Sequence, residues 1–548
     1  MRSKPTNGGD QEVFLLAQLA GFVSIFAFLI YLRNNEILLY GDAIAHINIA
    51  RRVFDSRTPG LLQLGTVWLP LPHLLMVPFL ISNWLWQTGI GGSFPSMVSY
   101  ILGVVGIFRL TRAILTKASS SDRAVHAAAW GAALIYGANP NLLYVQATAM
   151  TESLYLALFI WTFVYFSEFA QALHAESGTQ QASGALFRCG LCVAGACLTR
   201  YDGWFLVGVV FIAAGILILR SGKFSTFKIS FLKFTLIIAA MPILWLAYNA
   251  VVYRNALEFA NGPYSAKAIE QKTAVPGFPP HPGSDNLPVA ASYFLKAAEL
   301  NVVPNNWHRL WLFLLLAGTA AILISQRRLW PLLLLWTPLP FYMLSIAYGG
   351  VPIFLPPWWP HSIYNARYGL QMLPAFAVFL PLTGYLLARL FANIKIKMAV
   401  AASLMVLIIV SYVLVWHSQP ILFREAWINS RSKNAIETQL ASILKRFPAG
   451  SNYLMYLGGH VGAMQRAGIP LKQVINEGNH RPWVKPRDPN GLWEKALASP
   501  EQYVQYVIAF QGDDVDEQVD KRNLTAFLVL HVTDQPAVTI YKTGNQPR

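Results

Sequence analysis

The sequence contains little charge for its length. Only 12% of its 548 residues are charged, whereas 55% are hydrophobic, and the mean hydropathy is +0.42. A soluble globular chain carries about 25% charged residues, so this composition excludes an ordinary soluble enzyme. Apolar runs of about 20 residues, the length needed to cross a bilayer, recur along the chain. The sequence therefore predicts a polytopic membrane protein.

Cysteine is also scarce. The three cysteines, Cys189, Cys192 and Cys197, lie within one apolar stretch. Structural zinc sites usually need four cysteine or histidine ligands, and no further cysteine is present to complete one. A disulfide framework for the rest of the chain is excluded for the same reason. We interpret the three cysteines as small packing residues of a helix.

The chain carries a formal net charge of +16, which raises the question of a nucleic-acid partner. The positive residues lie mainly between apolar segments, and this arrangement is typical of the positive-inside rule for membrane topology. The charge therefore predicts the orientation of a membrane protein, and we expect no nucleic-acid partner. Eleven segments are predicted to span: 13–32, 96–115, 124–139, 153–170, 187–200, 203–220, 232–252, 308–326, 329–349, 367–390 and 398–416.

Residues 66–86 are apolar but contain Pro70, Pro72 and Pro78, and proline removes a backbone donor and kinks a helix. If this segment does not span, the basic loops all face the cytoplasm, as the positive-inside rule requires. We therefore expect an interfacial or re-entrant helix here and a cytoplasmic N-terminus. The basic residues that decide this are Arg109, Arg112, Lys117, Arg123, Arg220, Lys223, Lys228, Lys233, Arg327, Arg328, Lys395 and Lys397.

The composition changes after the last apolar run, which suggests two domains, 1–416 and 417–548. Residues 431–447 have the spacing of an amphipathic helix, and 452–457, 503–510, 524–532 and 537–543 have the character of strands. Helices alternating with short strands predict a small α/β domain. Because the number of predicted spans is odd, this domain is expected on the extracytoplasmic side.

The first predicted external loop begins with YGDAIAHINIARRVFDS, residues 40–56. As a helix lying along the interface, this segment places Asp42 and His46 on one face and Ile44 and Ile47 on the other. Two interpretations of Asp42 stay open, a functional carboxylate or a helix cap. His46 is either a ligand or a hydrogen-bond partner, and Arg51 is either a binding residue or an arginine that reaches lipid headgroups.

Four motifs resemble those of the polytopic glycosyltransferases with the GT-C fold, a family that includes the protein O-mannosyltransferases and bacterial relatives. They are YGDAIAHINIAR with Asp42, TESLYLAL with Glu152, TRYDGWFL at 199–206, and NARYGLQMLPAF with Arg367. The α/β domain after the last span is similar to that of some bacterial members. Many members carry adjacent Asp-Glu in the first loop, whereas Ala43 follows Asp42 here, so the identity of a second catalytic carboxylate stays open.

The resemblance implies a membrane glycosyltransferase that moves a sugar from a polyprenyl-phosphate carrier to an acceptor protein, glycan or lipid, with inversion, at the external face of a membrane such as the bacterial inner membrane. Such a transfer needs a base for the acceptor hydroxyl and cations for the departing phosphate, a task for which arginine is well suited. The predicted catalytic residues are Asp42 and Glu152, and the predicted binding residues are His46, Arg51, Arg200, Asp202, Arg367 and Tyr368.

Structural interpretations compete with these roles. Glu152 is also explained by the helix dipole, Arg200 and Asp202 by a local ion pair, and Arg367 by interfacial anchoring. A divalent cation shared by Asp42, Glu152 and Asp202 is a further possibility, because carboxylates are its usual ligands. Two other functions stay open, a transporter or flippase of a lipid-linked sugar and a non-catalytic lipid-sugar-binding protein. Charges scattered within spans would favour a transporter.

Overall fold

A computed structural model describes residues 7–116, 122–173, 175, 178–273, 279–304, 307–324, 327–479 and 490–544; Lys117 lies outside these ranges. The α-helices are α1 Asn7–Arg33, α2 Gly41–Arg52, α3 Leu71–Leu80, α4 Asn83–Thr88, α5 Ile90–Thr116, α6 Asp122–Gly137, α7 Pro140–Gln146, α8 Glu152–Leu173, α9 Thr179–Cys197, α10 Asp202–Arg220, α11 Phe224–Tyr253, α12 Glu258–Asn261, α13 Ala266–Thr273, α14 Leu287–Leu300, α15 His308–Ile324, α16 Pro338–Tyr348, α17 Leu373–Arg389, α18 Ile394–His417, α19 Ile421–Leu444, α20 Val461–Ala467, α21 Leu492–Ala498 and α22 Asp514–Gln518.

The strands are β1 Tyr453–Met455, β2 Val474–Ile475, β3 Tyr506–Phe510, β4 Leu524–Leu530 and β5 Val538–Thr543. Short 3₁₀ segments cover Leu61–Leu64, Arg327–Trp336, Ala366–Met372, Leu471–Gln473, Glu477–Asn479 and Pro500–Gln502. Several helices begin where the sequence supplies a cap. Asn139, for example, precedes Pro140 and accepts a hydrogen bond from the backbone N–H of Leu142 at 2.9 Å, an arrangement that satisfies a donor with no partner inside the helix.

The predicted membrane class is confirmed. Within the described ranges, eight helical segments are long and apolar enough to cross a membrane. They are Gln11–Arg33, Ile90–Thr116, Glu152–Leu173, Asp202–Arg220, Phe224–Tyr253, Leu329–Tyr348, Ala366–Arg389 and Ile394–Leu444. The other three predicted spans coincide with α6, α9 and α15. Of these, α6 has 16 residues and α15 has 17, and α9 has 19 but is less apolar.

The proline-rich segment 66–86 is divided between two helices. Helix α3 has 10 residues and α4 has 6, and Ser82 between them caps α4 by accepting a hydrogen bond from the N–H of Leu85. At 1.5 Å per residue, α3 is about 15 Å long, which is half of the hydrocarbon thickness of about 30 Å. Neither helix is long enough to span, in agreement with the expectation of an interfacial segment.

The chain divides into two compact units. The first unit comprises Met1–Asn34, Ser96–Leu244 and Pro263–Glu425, and the second comprises Asn35–Pro95, Trp245–Gly262 and Ala426–Arg548. The division at residue 417 stays a prediction, while the contacts group the first loop with the C-terminal residues. In the first unit, α8 packs along α9, and α17 packs against α6 and α15.

The second unit contains the predicted α/β domain. Its sheet has the order β2-β1-β3-β5-β4, in which β2, β1 and β3 are parallel and β3, β5 and β4 are antiparallel. Strand β3 is buried along its whole length. Buried residues from the sheet and from α21 form its core, including Leu454, Trp493 and Val507. The four strands expected from the sequence coincide with β1, β3, β4 and β5.

The first loop packs within this second unit through buried polar contacts. Asn48 on α2 donates to Gln465 at 2.6 Å and accepts from the indole N–H of Trp86 at 3.0 Å. The helix expected at 40–56 is confirmed as α2, but its polar face is buried together with its apolar face, since His46, Asn48 and Ile47 are all buried. Residues far along the chain, among them Gln465, cover the polar face, and the interfacial position of the helix stays a prediction.

Candidate functional site

Two arginines and three carboxylates cluster in the first unit. Glu152 is the first residue of α8, Asp202 is the first residue of α10, and Arg200 lies in the turn before α10. Arg367 lies in the 3₁₀ segment that leads into α17, and Glu425 lies in the second turn of α19. The acids at helix starts are favoured there by the helix dipole. Three of the four sequence motifs, all but that of the first loop, thus supply Glu152, Arg200, Asp202 and Arg367, and Glu425 is the fifth charged residue of the cluster.

Arg200 is the most connected member of the cluster. Its Nη1 lies 3.1 Å from Glu152 Oε1 and donates to Thr151 Oγ1 at 3.1 Å, and its Nε lies 3.4 Å from Asp202 Oδ2. Its Nη2 donates to the Tyr342 hydroxyl at 2.9 Å. The pairing of Arg200 with Asp202 is therefore part of a larger network. Burial alone would lower the pKa of Arg200, but Tyr342, Asp202 and Glu152 raise that pKa well above its ordinary value.

Arg367 shares the carboxylate of Glu152. Its Nε lies 3.4 Å from Glu152 Oε1, and its Nη1 lies 3.6 Å from Glu425 Oε1. Glu425 also accepts hydrogen bonds from the backbone N–H groups of Asn365 at 3.0 Å and Ala366 at 2.9 Å. One carboxylate thus holds both the side chain of Arg367 and the backbone turn from which it projects.

Two tyrosines lie against the arginines. The guanidinium carbons of Arg200 and Arg367 are each 5.3 Å from the centre of the Tyr368 ring, within the range of a cation–π interaction. The Tyr368 ring stacks on Tyr342 with a centroid distance of 5.2 Å, and the Tyr342 hydroxyl donates to Asp202 Oδ2 at 3.0 Å. The aromatic pair fixes the position of both cations.

The charges of the cluster are buried unequally. The side chains of Glu152 and Glu425 are 1% exposed, whereas those of Arg200 and Arg367 are 15% and 12% exposed. Tyr368 is also half-buried. The carboxylates are therefore closed to solvent, while the two arginine side chains keep a small exposed fraction. A guanidinium has five donors in a planar fork that matches carboxylate or phosphate oxygens, so the arginine pair is suited to binding an anion.

Two carboxylate oxygens of the cluster are buried without a hydrogen-bond partner among the described residues, namely Glu152 Oε2 and Asp202 Oδ1. Leaving a buried acceptor without a donor costs about 1–3 kcal/mol. Both atoms are acceptors that have no exposed surface.

The structure brings together five of the predicted site residues, Glu152, Arg200, Asp202, Arg367 and Tyr368. Asp42, His46 and Arg51 belong to α2 in the second unit. Asp42 is half-buried in the first turn of α2, and the residue at the N-cap position is Tyr40.

His46 and Arg51 are buried in contacts within the second unit. His46 Nδ1 lies 2.9 Å from Nε2 of His73. Arg51 forms an ion pair with Asp55 at 2.7 Å and donates to Asn83 at 2.6 Å. Burial, together with His46 and Arg52, holds the pKa of His73 well below its ordinary value. These contacts support a structural role for His46 and Arg51.

The predicted divalent cation has no ligand cluster in the part of the chain that the structure describes. No group of three or more His, Cys, Asp or Glu residues is arranged to hold a metal ion there. The carboxylates of Glu152 and Asp202 are instead paired with Arg200.

Glu425 and Tyr342 belong to the cluster but were not predicted from the sequence. Glu425 stands in ILFREAWINS just after the last apolar run, and an acid directly after a span was the available signal. Tyr342 lies in an aromatic membrane segment whose composition gives no sign of a special role.

Known structures reveal the fold. ArnT from Cupriavidus metallidurans bound to undecaprenyl phosphate matches with a TM-score of 0.56 and 13% identity, over 99% of this chain and 100% of that one. Its apo state matches with the same TM-score and identity over 97% and 98%. The chain has the GT-C fold.

The GT-C fold predicted from four short motifs is therefore confirmed. The oligosaccharyltransferase of Archaeoglobus fulgidus in complex with zinc and sulfate matches with a TM-score of 0.46 and 11% identity, over 96% of this chain and 73% of that one, a level too low to support an argument. No protein-family description and no curated protein sequence matches the chain.

Proposed function

We propose that this protein is an integral-membrane glycosyltransferase that moves a sugar from a polyprenyl-phosphate carrier to an acceptor hydroxyl. The observation that supports it is the pair of partly exposed arginines, Arg200 and Arg367, which contact buried carboxylates and the ring of Tyr368. The GT-C fold agrees with it, because a protein with this fold has been solved with undecaprenyl phosphate bound.

The arginine pair binds the phosphate of the donor. As the acceptor oxygen attacks C1 of the sugar, the bond between C1 and the phosphate oxygen breaks and its electron pair stays on the phosphate. Two guanidinium groups that are already oriented stabilise this added charge without rearrangement. Glu152 contacts both arginines through one oxygen, and we assign to it the orientation of this pair. Direct displacement inverts the configuration at C1.

Asp42 is the proposed general base, on the sequence argument that an acid opens the first external loop. A base takes the proton of the acceptor hydroxyl as the new bond forms, a contribution of about 10²–10⁴-fold. If Asp42 is not the base, the unpartnered oxygens of Glu152 and Asp202 are the next candidates. The acceptor is a hydroxyl of a protein, a glycan or a lipid.

The reaction takes place at the extracytoplasmic face of the membrane, which in bacteria is the inner membrane. The N-terminus lies in the cytoplasm, and residues 417–548 lie outside. The distribution of basic residues among the loops supports this orientation. A reporter enzyme fused after residue 430 is expected to be active only in the external compartment. Activity in the cytoplasm would contradict the orientation.

A flippase of the lipid-linked sugar is the second candidate on the same fold. Transport pathways are marked by ionisable residues inside spans. Here Glu152 and Asp202 are the first residues of their helices, and this position favours the transferase.

The test of the phosphate site is a binding measurement. The double variant Arg200→Gln/Arg367→Gln is expected to bind undecaprenyl phosphate at least about tenfold more weakly than the wild type, since two charge-assisted contacts are lost. Arg309→Gln is the control for the loss of an arginine elsewhere, because Arg309 is an exposed arginine outside the cluster. Equal affinities in the double variant and the control, with both folded, would overturn the phosphate assignment.

A further inference from the structure

A cavity lies in the first unit, away from the arginine–carboxylate cluster. It has a volume of about 700 Å³ and is lined by residues of α6, α17 and α18, a size within the range of about 300–1,000 Å³ that is common for ligand sites. Its wall is largely apolar, with Gly131, Pro381, Leu404 and Ile408 among the lining residues. Such a wall is suited to a hydrocarbon chain.

The charged residues of this cavity all have one sign. Arg123, Arg389 and Lys397 line it, and no aspartate or glutamate is among the described lining residues. They come from three different elements, the start of α6, the end of α17 and the start of α18. Three cations at one apolar cavity are complementary to an amphiphile with an anionic head.

Tyr385 also lines the cavity. Tyr385 is 6% exposed, and its hydroxyl has no hydrogen-bond partner among the described residues. The Arg389 guanidinium carbon lies 5.9 Å from the centre of its ring. A buried hydroxyl without a partner costs free energy, and a bound oxygen acceptor would remove that cost. General anchoring of basic residues at helix ends explains neither the cavity nor this hydroxyl.

The positions of Arg367 and Arg389 along one spanning segment show which end of the helix bundle the cavity occupies. Arg367 and Arg389 stand near opposite ends of the spanning segment Ala366–Arg389, which has 24 residues. At 1.5 Å or more per residue, this segment is at least about 36 Å long, longer than the hydrocarbon layer of about 30 Å. The cations of the cavity therefore face the leaflet opposite to the arginine pair.

We propose that this cavity is a binding site for an anionic phospholipid of that opposite leaflet. An acyl chain occupies the apolar part, and the phosphate is held by Arg123, Arg389 and Lys397, with the Tyr385 hydroxyl as a fourth donor. The anionic lipids of a cytoplasmic leaflet are bound by basic pockets between spanning helices. The carrier lipid of the proposed reaction has its phosphate site at the other end of the segment, so the two sites are separate.

The test is native mass spectrometry of the purified full-length protein, incubated in turn with phosphatidylglycerol, phosphatidylcholine and undecaprenyl phosphate. The triple variant Arg123→Gln/Arg389→Gln/Lys397→Gln is compared with the control triple variant Arg220→Gln/Lys228→Gln/Lys395→Gln. The control has the same change of charge, at residues that do not line the cavity. Each basic residue contributes roughly fivefold to the affinity for an anionic lipid, so the first triple variant is expected to lose on the order of 100-fold.

Two single variants test the contributions of the cavity space and of the Tyr385 hydroxyl while all three cations are kept. Ala401→Trp fills the cavity from α18 with all cations kept, and is expected to abolish phosphatidylglycerol binding. Tyr385→Phe keeps the ring and removes the hydroxyl, and is expected to weaken binding about tenfold.

Three results would overturn the proposal. The first is equal binding of phosphatidylglycerol by the two triple variants. The second is binding of phosphatidylcholine that is as strong as the binding of phosphatidylglycerol. The third is displacement of phosphatidylglycerol by undecaprenyl phosphate in the control triple variant but not in the first triple variant. The last result would make the cavity a second site for the carrier lipid. Because the measurement records lipid binding and not sugar transfer, its outcome is independent of the proposed reaction.

Discussion

Glu425 holds Arg367 in place by two means. Its carboxylate lies 3.6 Å from Arg367 Nη1 and accepts hydrogen bonds from the backbone N–H groups of Asn365 and Ala366. Asn365 has a φ of 56°, in the left-handed region that favours glycine and asparagine, so this turn depends on its hydrogen bonds. Glu425 is thus a positioning residue for the arginine.

Glu425→Gln is expected to weaken donor binding about tenfold without unfolding the protein. The amide keeps one acceptor oxygen but loses the charge, so either Arg367 or one backbone N–H loses its partner, at a cost of about 1–3 kcal/mol. The measurement is the affinity for undecaprenyl phosphate. Glu168→Gln is the control, because Glu168 pairs with Arg109 and Arg188 near the opposite end of α8 from Glu152. Equal affinities in the two variants would remove the positioning role.

Arg367→Lys tests the geometry of the phosphate contact. Lysine keeps the charge but lacks the planar fork, so we expect a loss of about 1–3 kcal/mol in donor binding and a lower turnover. Titration of the purified variant with undecaprenyl phosphate measures this loss. An affinity equal to that of the wild type would leave Arg367 as an interfacial anchor.

Asp42→Asn tests the proposed base. Asparagine stabilises a helix start about as well as aspartate but accepts no proton at neutral pH. If Asp42 is the base, turnover is expected to fall about 10²–10⁴-fold while donor binding and folding are kept. Turnover within a few-fold of the wild type, in folded protein that binds donor, would give Asp42 a structural role and direct the search to Glu152 and Asp202.

The buried histidine pair predicts a loss of stability in acid. Burial keeps the pKa of His73 well below 6.5, so His73 is neutral in the folded protein near neutral pH. As the pH falls below about 6.5, the unfolded chain takes up a proton that the folded chain does not, and the free energy of unfolding decreases. Thermal unfolding between about pH 7.5 and about pH 5.5 is expected to depend less on pH in His73→Gln than in the wild type. Identical pH dependence in both proteins would contradict this account.

The sequence predicted the elements of this protein better than their assembly. Strands β3 and β5 were predicted because each is a short run of β-branched and aromatic residues between polar turns. This pattern is local in the sequence. The prolines of 66–86 made a spanning helix doubtful, and the charge of the loops then favoured an interfacial or re-entrant segment. The packing of Asn48 against Gln465 joins residues more than 400 positions apart, and no local pattern encodes such a contact.

Glu152, Asp202 and Arg367 were predicted because short motifs at the ends of apolar runs resemble those of the GT-C glycosyltransferases. Tyr342 was not found, since its role depends on the hydroxyl that joins Arg200 to Asp202 and tyrosine is common in membrane segments. The burial of the acids could not be read from the sequence, because it depends on how four segments pack.

Sugar transfer and release of the carrier are measured together by following both products of the proposed reaction. Purified protein in lipid nanodiscs is given a polyprenyl-phosphate sugar labelled in both the sugar and the lipid, together with candidate acceptors. We expect one molecule of free polyprenyl phosphate for each sugar transferred, with the same ratio in Arg309→Gln and at least about tenfold slower release in Arg200→Gln/Arg367→Gln. Binding of the donor with no release of free polyprenyl phosphate, or movement of the intact lipid-linked sugar across liposomes without release, would contradict the account.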